Sequence, residues 1–551
     1  MRFLPRFPMM PLLKSILVSA AMFLGVLASE SKAQWAWAKS VGISGTTVWG
    51  ASVIGDDGSF YFGGVSDKLA GNPVRGYVMA KYGDTVAAKW NTKLLGGIAA
   101  YAGETCVGVD TAGNSYMIDK FRDTPLILPD TTKISYTAPC YFVSKYLPTG
   151  TLAWCKRLVV SRFSRFQVMS DGTVGLQAIG VGKFLLFGTD SIVTVPNNYF
   201  IEIKPDGAIG RMVQESDVTP NAFVFAQWTG PGKLFAVTTE GFAGNPISKY
   251  HRGSANLDAK TFTDDGTPLT VDSPPNTFRW ENTGFANSPT TSYESKSGHL
   301  FVLMSAINGD PKLNAKDTIM RQTNTQVRDG YVVELDDQMK VVRKVHLTNP
   351  LQLAVRDSQV VVTAWVRATS DFGFVSPDTT IKITLKNANN DGLVTYVMDR
   401  NLKYKTHGLV EGRNQAVPTP NTTMIGPDGG VFLSLAATSD LTFQGLPILN
   451  RGTAEGVVIA KLGIAPPASI APGAKSLRSR IQLNPMGNTL TIDQPGAFRY
   501  RLTNLLGAPV ASGSGNGYAV CDVSRLPQGM YSLTLAGNGT ASHHLIRKID
   551  P

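Results

Sequence analysis

The chain has 551 residues, of which 43% are hydrophobic and 17% charged, a composition typical of globular domains with room for more than one core. Its formal net charge of +11 first suggests a polyanionic partner. Residues 1–33 and 465–551 carry +3 and +5 of that charge, however, and only +3 is spread over the long middle segment. Because phosphate binding needs a dense basic stripe, we expect no nucleic-acid partner.

Residues 1–33 have the pattern of a secretory signal peptide. Three basic residues within the first 14 precede an apolar segment over 15–28, and Ser31-Lys32-Ala33 places small residues where a signal peptidase cuts. The apolar segment is too short to cross a bilayer, which takes about 20 residues. We expect cleavage before Gln34, with a cut after 26–28 as the alternative, and no membrane span in the mature chain.

The four cysteines are compatible with export, because disulfides persist in oxidising compartments. Cys106, Cys140 and Cys155 lie within 50 residues of one another, so one bridge among them is a hypothesis whose connectivity the spacing cannot give. If residues 148–150 form a three-residue turn, Cys155 faces Val143 rather than Cys140. No cysteine has metal-site spacing, and we expect no metal and no cofactor.

An internal repeat with two elements runs through residues 34–464. The first element is a turn between two strands, with glycine as its usual marker. It recurs at Asp57-Gly58, Gly113-Asn114, Asp171-Gly172, Pro231-Gly232, Ser297-Gly298, Asp357-Ser358 and Asp428-Gly429.

The second element is a strand rich in β-branched and aromatic residues, often followed by a Pro/Gly turn and a strand that contains tryptophan. It recurs at Val78–Tyr82, Tyr141–Tyr146, Phe200–Ile203, Ile247–Tyr250, Tyr331–Leu335, Tyr396–Asp399 and Val457–Leu462. Seven units of about four short strands each are typical of a β-propeller, one unit per blade.

The two ends of this region complement each other. The seventh unit stops at Leu462-Gly463, before its fourth strand, whereas residues 35–39 (WAWAK) match the fourth-strand pattern of residues 152–156 (LAWCK). The sequence therefore predicts that the N-terminal strand completes the seventh blade and closes the ring, which removes an open sheet edge.

With its aspartate-glycine turn, "VAKY" strand and "LxWAK" strand, the region resembles a family of bacterial β-propeller repeats. The resemblance implies an all-β fold, a seven-bladed β-propeller, which the strand pattern above predicts to be closed by the N-terminal strand. It carries over no active-site residues. An array of β-sandwiches or a β-solenoid are the alternatives.

The tail begins with a Pro/Ala-rich linker over residues 465–480. Residues 481–551 then alternate turn residues with short apolar segments, which predicts a small antiparallel β-sandwich. The six predicted strands are Thr489–Ile492, Phe498–Leu502, Val510–Ser512, Tyr518–Asp522, Met530–Leu535 and His544–Lys548.

Residues 481–551 resemble the C-terminal sorting domain of the bacterial type IX secretion system. The resemblance depends on Asn484, Pro485, Gly507, Leu526, Pro527, Gly529, Tyr531 and Lys548, which occur in the family's order. Leu483 stands where the family often has a proline. The resemblance implies that the type IX machinery is a partner and that the tail is removed at the surface. An immunoglobulin-like binding module is the alternative.

Patterns for catalysis and metal binding are weak. The six histidines are scattered, and the neighbours His543 and His544 would point to opposite faces of a strand. Residues 387–392 have the first half of a calcium loop, but Met398 stands where the bidentate glutamate belongs. Acid pairs such as Asp56-Asp57 fit hairpin turns, where aspartate bonds its own backbone.

One pair of residues is a candidate for ligand binding. Arg279 and Trp280 lie in the longest insertion, 251–290, where an aromatic side chain could stack on a sugar or anchor a protein. Packing of the loop under its own aromatic ring is the alternative. Trp90 and Trp154 instead fit packing positions of fourth strands.

These patterns predict a protein that is secreted or held on the outer surface of a Gram-negative bacterium. We expect its propeller to bind a glycan or surface protein through loops at one face. A secreted hydrolase or lyase with carboxylates at the axis and a structural surface component remain alternatives.

Overall fold

The computed structural model is built almost entirely from β-strands. It describes residues 34–41, 48–66, 76–83, 88–98, 105–135, 140–179, 184–187, 190–193, 198–240, 247–272, 278–280, 291–294, 297–306, 312–313, 317–318, 329–357, 359–367, 373–376, 379–385, 391–412, 419–437, 440–446, 449, 456–463, 489–504, 508–537 and 540–548. The predicted signal peptide, the linker and residues 387–390 of the incomplete calcium loop lie outside these ranges. Within them, no helix has the length and apolar character that crossing a membrane requires.

The chain divides into two units, Met1–Ala465 and Pro466–Pro551. The first unit starts with β1 (Gln34–Val41) and continues as seven antiparallel meanders, numbered here in chain order. The first meander is β2 (Val48–Ile54), β3 (Phe60–Ser66), β4 (Gly76–Tyr82) and β5 (Ala88–Ile98). The second is β6 (Cys106–Val109), β7 (Ser115–Ile127), β9 (Cys140–Tyr146) and β10 (Leu152–Val159), with β8 (Lys133–Ile134) beside β7.

The third meander is β11 (Arg162–Val168), β12 (Val174–Ile179), β15 (Asn198–Ile203) and β16 (Ile209–Gln214). Between β12 and β15, the hairpin β13 (Phe184–Phe187) and β14 (Asp190–Val193) pairs with β10, and the short helix α1 (Glu215–Val218) follows β16. The fourth meander is β17 (Ala222–Gly230), β18 (Lys233–Glu240) and β19 (Ile247–Asn256), with β20 (Thr261–Asp264) and β21 (Leu269–Asp272) sharing the far side of β19.

The fifth meander is β23 (Thr291–Glu294), β24 (His299–Ala306), β27 (Asp329–Leu335) and β28 (Val341–Thr348). Here β22 (Phe278–Trp280) pairs with β24, while β25 (Lys312–Leu313) and β26 (Asp317–Thr318) extend the sheet of β21. The sixth is β29 (Pro350–Arg356), β30 (Gln359–Arg367), β33 (Asp391–Asp399) and β34 (Tyr404–Gly412), with β31 (Phe374–Ser376) and β32 (Thr379–Ile381) beside β28. The seventh is β35 (Thr419–Ile425), β36 (Val431–Ala437) and β38 (Gly456–Gly463), and β37 (Leu441–Phe443) pairs with β34.

The N-terminal strand supplies the fourth strand of the seventh meander. β1 pairs antiparallel with β38 from Gln34 opposite Gly463 to Val41 opposite Val457. The two repeated elements lie where the sequence predicts them, since the first forms the turn between first and second strands and the second forms the third strand.

The turns of the first repeated element require glycine because of their backbone conformation. Gly58 has φ +72°, and Gly172 has φ +85°, a region that residues with a Cβ rarely adopt. In the sixth meander, Asp357 takes up a left-handed conformation instead, with φ +49°. The aspartate that precedes the glycine closes the turn, as Asp57 does by accepting a hydrogen bond from the Ser59 N–H at 3.0 Å. Asp56-Asp57 are thus turn residues, as predicted, and Asp336-Asp337 lie in a turn as well.

The connections at the two ends of the meanders differ in length. First-to-second and third-to-fourth connections within the meanders take two to five residues, whereas second-to-third connections take 6 to 23. In an antiparallel meander, the second-to-third connections lie at the opposite end of the sheet from the other two. We call the end that carries them the long-connection end.

Fourth-strand tryptophans join each of the first two meanders to the next. Trp90 donates its indole N–H to the Pro148 carbonyl at 2.9 Å, and Trp154 donates to the Pro205 carbonyl at 3.0 Å. Gly150 allows this approach, because a Cβ there would lie 2.6 Å from the Trp90 ring. Both tryptophans are therefore packing residues, as predicted.

The first strands of the meanders contact one another in chain order, and β35 also contacts β2. Side chains bridge the strands: Gln167 on β11 both donates to and accepts from the Trp228 backbone on β17, at 2.9 Å each way. Between the seventh and first meanders, Thr422 accepts a hydrogen bond from the Ser52 N–H at 3.3 Å. These contacts join first strands that form no backbone ladder with one another, although β5 of the first meander does pair with β7 of the second.

The cysteines differ from expectation in two ways. None of the four is joined in a disulfide. Cys155 lies opposite Ser144 rather than Val143, because a bulge between Leu152 and Trp154 shifts the register of β10 against β9 by one residue.

The described residues of the second unit form four strands rather than the six predicted. They are β39 (Thr489–Asn504), β40 (Pro509–Asp522), β41 (Gly529–Gly537) and β42 (Thr540–Lys548), in the sheet order β40-β39-β41-β42. The predicted break at Pro495-Gly496 is a bulge inside β39. Residues from both halves of β39, such as Ile492 and Leu502, contribute to one buried core.

Candidate functional site

Four of the predicted sorting residues meet at one turn of the second unit. The Lys548 ammonium donates hydrogen bonds to the carbonyls of Val523, at 2.6 Å, of Ser524, at 3.0 Å, and of Leu526. The Tyr531 hydroxyl donates to the Pro527 carbonyl at 2.7 Å. The structure thus brings Leu526, Pro527, Tyr531 and Lys548 together.

This arrangement gives each of the motif residues a physical task. Lys548 is only 3% exposed, and its three ammonium protons meet three carbonyls, so the last residue of β42 holds the turn before β41. Gly529 begins β41 directly after that turn. Asn484, Pro485 and Gly507 lie outside the described residues, and their part in the motif stays a prediction.

The binding candidates Arg279 and Trp280 occupy a strand rather than an open loop. Their backbones belong to β22, where Arg279 lies opposite Ser305 and Trp280 opposite Met304. The orientation of their side chains is outside what the structure describes, so their role in binding stays a prediction. The insertion therefore adds a strand to the second strand of the fifth meander.

The largest ionic cluster among the described residues joins neighbouring meanders. Glu334 on β27 accepts hydrogen bonds from Arg343 at 2.6 Å and from Arg400 at 3.1 Å, and it lies 2.6 Å from His299 Nδ1. Arg400, in the β33–β34 turn, also binds Glu294 at 2.6 Å. Since every charge here has an opposite partner, we assign the cluster to joining the fifth and sixth meanders.

A different polar group lies at the long-connection end of the third meander. Glu215 on α1 is 5% exposed and accepts hydrogen bonds from the amides of Gln177, at 2.6 Å, and Asn198, at 3.1 Å. Burial raises the pKa of Glu215, and the two amide hydrogen bonds oppose that rise. Arg165 on β11 lies opposite Gln177 in the strand register.

Sequence reasoning missed both Glu215 and Arg165. Glu215 follows an ordinary strand, and nothing in its neighbourhood sets it apart from an exposed acid. Arg165 stands in the sequence RFSRFQV, where two arginines alternate with aromatic residues in a first strand. That alternation was the available signal, because a charged residue on the buried face of a strand needs a partner.

Among the described residues, no three His, Cys, Asp or Glu side chains are grouped as metal ligands would be. A comparison with protein-family models and with curated proteins gave no match to this chain.

The buried Glu215 carboxyl should make stability depend on pH. Because its folded-state pKa is raised above the ordinary value of 4.5, the folded chain holds a proton that the unfolded chain has released. The free energy of unfolding of the wild type should therefore fall, relative to that of Glu215→Gln, as the pH rises from 4.5 through the raised pKa. Denaturant titrations of both proteins over a pH series measure the difference.

Asp217→Asn is the matched control, because Asp217 is exposed on the same helix and binds Lys260 at 2.8 Å. Its pH dependence should follow the wild type. A difference between wild type and Glu215→Gln that stays constant with pH would show that Glu215 has an ordinary pKa.

Proposed function

We propose that the chain is an exported binding protein of a Gram-negative bacterium, secreted or held at the outer surface. In this proposal residues 34–464 form a seven-bladed β-propeller that binds a glycan or a surface protein, and residues 481–551 direct type IX secretion. The meeting of Leu526, Pro527, Tyr531 and Lys548 in a separate C-terminal unit is the observation that carries it.

The ring is supported by contacts between the last meander and the first. Trp37 on β1 lies opposite Lys461, as Trp90 lies opposite Lys81 and Trp154 opposite Lys145. The centre of the Trp37 ring lies 6.4 Å from that of the Phe60 ring in the first meander. The N-terminal strand thus joins the seventh meander to the first with the residue type used at the next two junctions.

The binding role is supported by the distribution of chain length and charge. Extra residues are concentrated in the second-to-third connections, as in folds where a rigid scaffold presents binding loops. Across the seven first strands, the sole acidic residue is Glu294, which is paired with Arg400. A hydrolase with its catalytic carboxylates on these strands would need at least two acidic residues there. Binding is therefore favoured over catalysis.

Mapping the ends of the native protein by peptide mass spectrometry tests the export proposal. From washed cells and culture medium, we expect an N-terminal peptide that begins at Gln34 and a C-terminus within residues 465–480. A chain that reaches Pro551 and occurs only in the periplasm would refute the sorting role. Cells that lack type IX secretion are the control, since the uncut tail should accumulate there.

A further inference from the structure

Among the charged residues of the seven first strands, Arg165 lies closest to the middle of its strand. It is the fourth of seven residues in β11, whereas Arg162, Glu294 and Arg356 stand at strand ends. Its side chain is directed at β17, the first strand of the fourth meander. There it donates a hydrogen bond to the Val224 carbonyl at 3.4 Å, and its guanidinium carbon lies 4.7 Å from the centre of the Phe225 ring.

This guanidinium has no carboxylate partner among the described residues. Glu215, whose partner Gln177 lies opposite Arg165 in the register, forms its hydrogen bonds with Gln177 and Asn198 instead. A single long hydrogen bond and one aromatic contact are weak compensation for a cation that is withdrawn in part from water. Burial accordingly lowers the pKa of Arg165 to about 10, which still leaves it charged at neutral pH.

The surroundings leave the guanidinium able to bind a ligand. Arg165 is partly buried and not fully enclosed. A guanidinium has five N–H groups, and the described residues accept a hydrogen bond from one of its nitrogens. Its planar donors match the two oxygens of a carboxylate or sulfate, and the Phe225 ring fixes their direction.

The site also lies where the proposed binding surface is. β11 and β17 both begin at the long-connection end, and Arg165 and Val224 lie within the first four residues of their strands. A ligand that approaches from the long connections can therefore reach the guanidinium without passing the tight turns of the other end.

We propose that Arg165 binds an oxyanion group, carboxylate or sulfate, of an acidic polysaccharide that enters between β11 and β17. This inference rests on the proposed binding role of the long-connection end, but not on export or on the sorting role of the tail. The proposed ligand is thereby restricted from glycans in general to glycans that carry negative charge.

Isothermal titration of the purified chain tests the proposal. The probes are an oligogalacturonate, a sulfated galactan oligosaccharide and a neutral galactan oligosaccharide of equal length. We expect at least one acidic probe to bind and the neutral one not to bind. Arg165→Gln should weaken binding about 10- to 100-fold, the loss that a bidentate ionic hydrogen bond implies.

Arg162→Gln is the matched control, because it removes the same charge from an exposed position of the same strand. It should bind as the wild type does, and Arg165→Lys, which keeps the charge without the planar fork, should bind with intermediate affinity. Equal loss with Arg162→Gln and Arg165→Gln would show a general charge effect and overturn the site. Unchanged thermal unfolding of Arg165→Gln would show that the loss is not a folding defect.

The outcomes separate this inference from the broader proposal. Binding of the neutral probe that is indifferent to Arg165 would refute the oxyanion site and leave a glycan-binding propeller. Failure of every probe would refute the acidic-polysaccharide ligand and weigh toward a protein partner. Which acidic probe binds more tightly distinguishes carboxylate from sulfate.

Discussion

Replacing Trp35 with alanine should lower the free energy of unfolding of the first unit by about 3–5 kcal/mol, the usual cost of deleting a large buried aromatic side chain. Trp35 is 2% exposed on β1 and lies edge-on to Phe443, with ring centroids 5.5 Å apart. It also donates its indole N–H to the Leu409 carbonyl of the sixth meander at 3.0 Å. One side chain thus anchors the N-terminal strand to the sheet of the sixth meander.

The measurement is denaturant unfolding of the full chain, followed by tryptophan fluorescence and circular dichroism. Trp35→Phe, which keeps an aromatic ring and loses the indole N–H, should cost only about 1–2 kcal/mol. Ser40→Ala, at an exposed position of β1, is the control and should change little. A Trp35→Ala protein as stable as Ser40→Ala would mean that β1 does not hold the seventh meander in solution.

The parts of the fold that the sequence predicts are those determined by local chemistry. Turn glycines such as Gly58 and Gly172 mark positions that need a left-handed backbone, so seven repeats could be counted from their spacing. The tryptophan of β1 could be matched to those of β5 and β10 because all three occupy the same place in a repeated pattern. Pairing of β1 with β38 followed from that match.

The parts that the sequence does not predict depend on neighbours distant in the chain. The bulge between Leu152 and Trp154 places Cys155 opposite Ser144 rather than Val143, and no residue type in the sequence indicates such a bulge. Pro495-Gly496 has the composition of a turn, yet the flanking residues pair with β40 on both sides of it, so β39 continues. Two predicted strands thereby become one.

The candidate sites divide in the same way. Lys548 and Tyr531 were predicted because their motif occupies a fixed place near the C-terminus, and the structure shows the carbonyls that they bind. Arg165 becomes a candidate only when β17 is placed beside β11, because the meaning of an arginine depends on whether an acid faces it. Glu215 likewise becomes notable only through the two amides that enclose it.

Lys548→Met should destabilise the second unit by about 3 kcal/mol or more, because it leaves three carbonyls at the turn without their charged donor. Methionine keeps the length and apolar stem of lysine, so the loss isolates the ammonium. Hydrogen exchange of the full chain, followed by mass spectrometry, should show faster exchange in peptides from 489–548 than in wild type. Peptides from 34–463 should be unchanged and serve as the internal reference.

Arg525→Met is the matched control for charge, since Arg525 is exposed in the same turn. Its exchange should equal that of the wild type, and equal exchange in Lys548→Met would show that the carbonyls are satisfied without the ammonium. The same pair of variants bears on export, because residues 481–551 are proposed to direct type IX secretion. Lys548→Met alone should then lose delivery to the cell surface, while residues 34–463 keep their exchange pattern. That result would mean that export requires the folded turn around Lys548 and does not depend on the stability of the first unit.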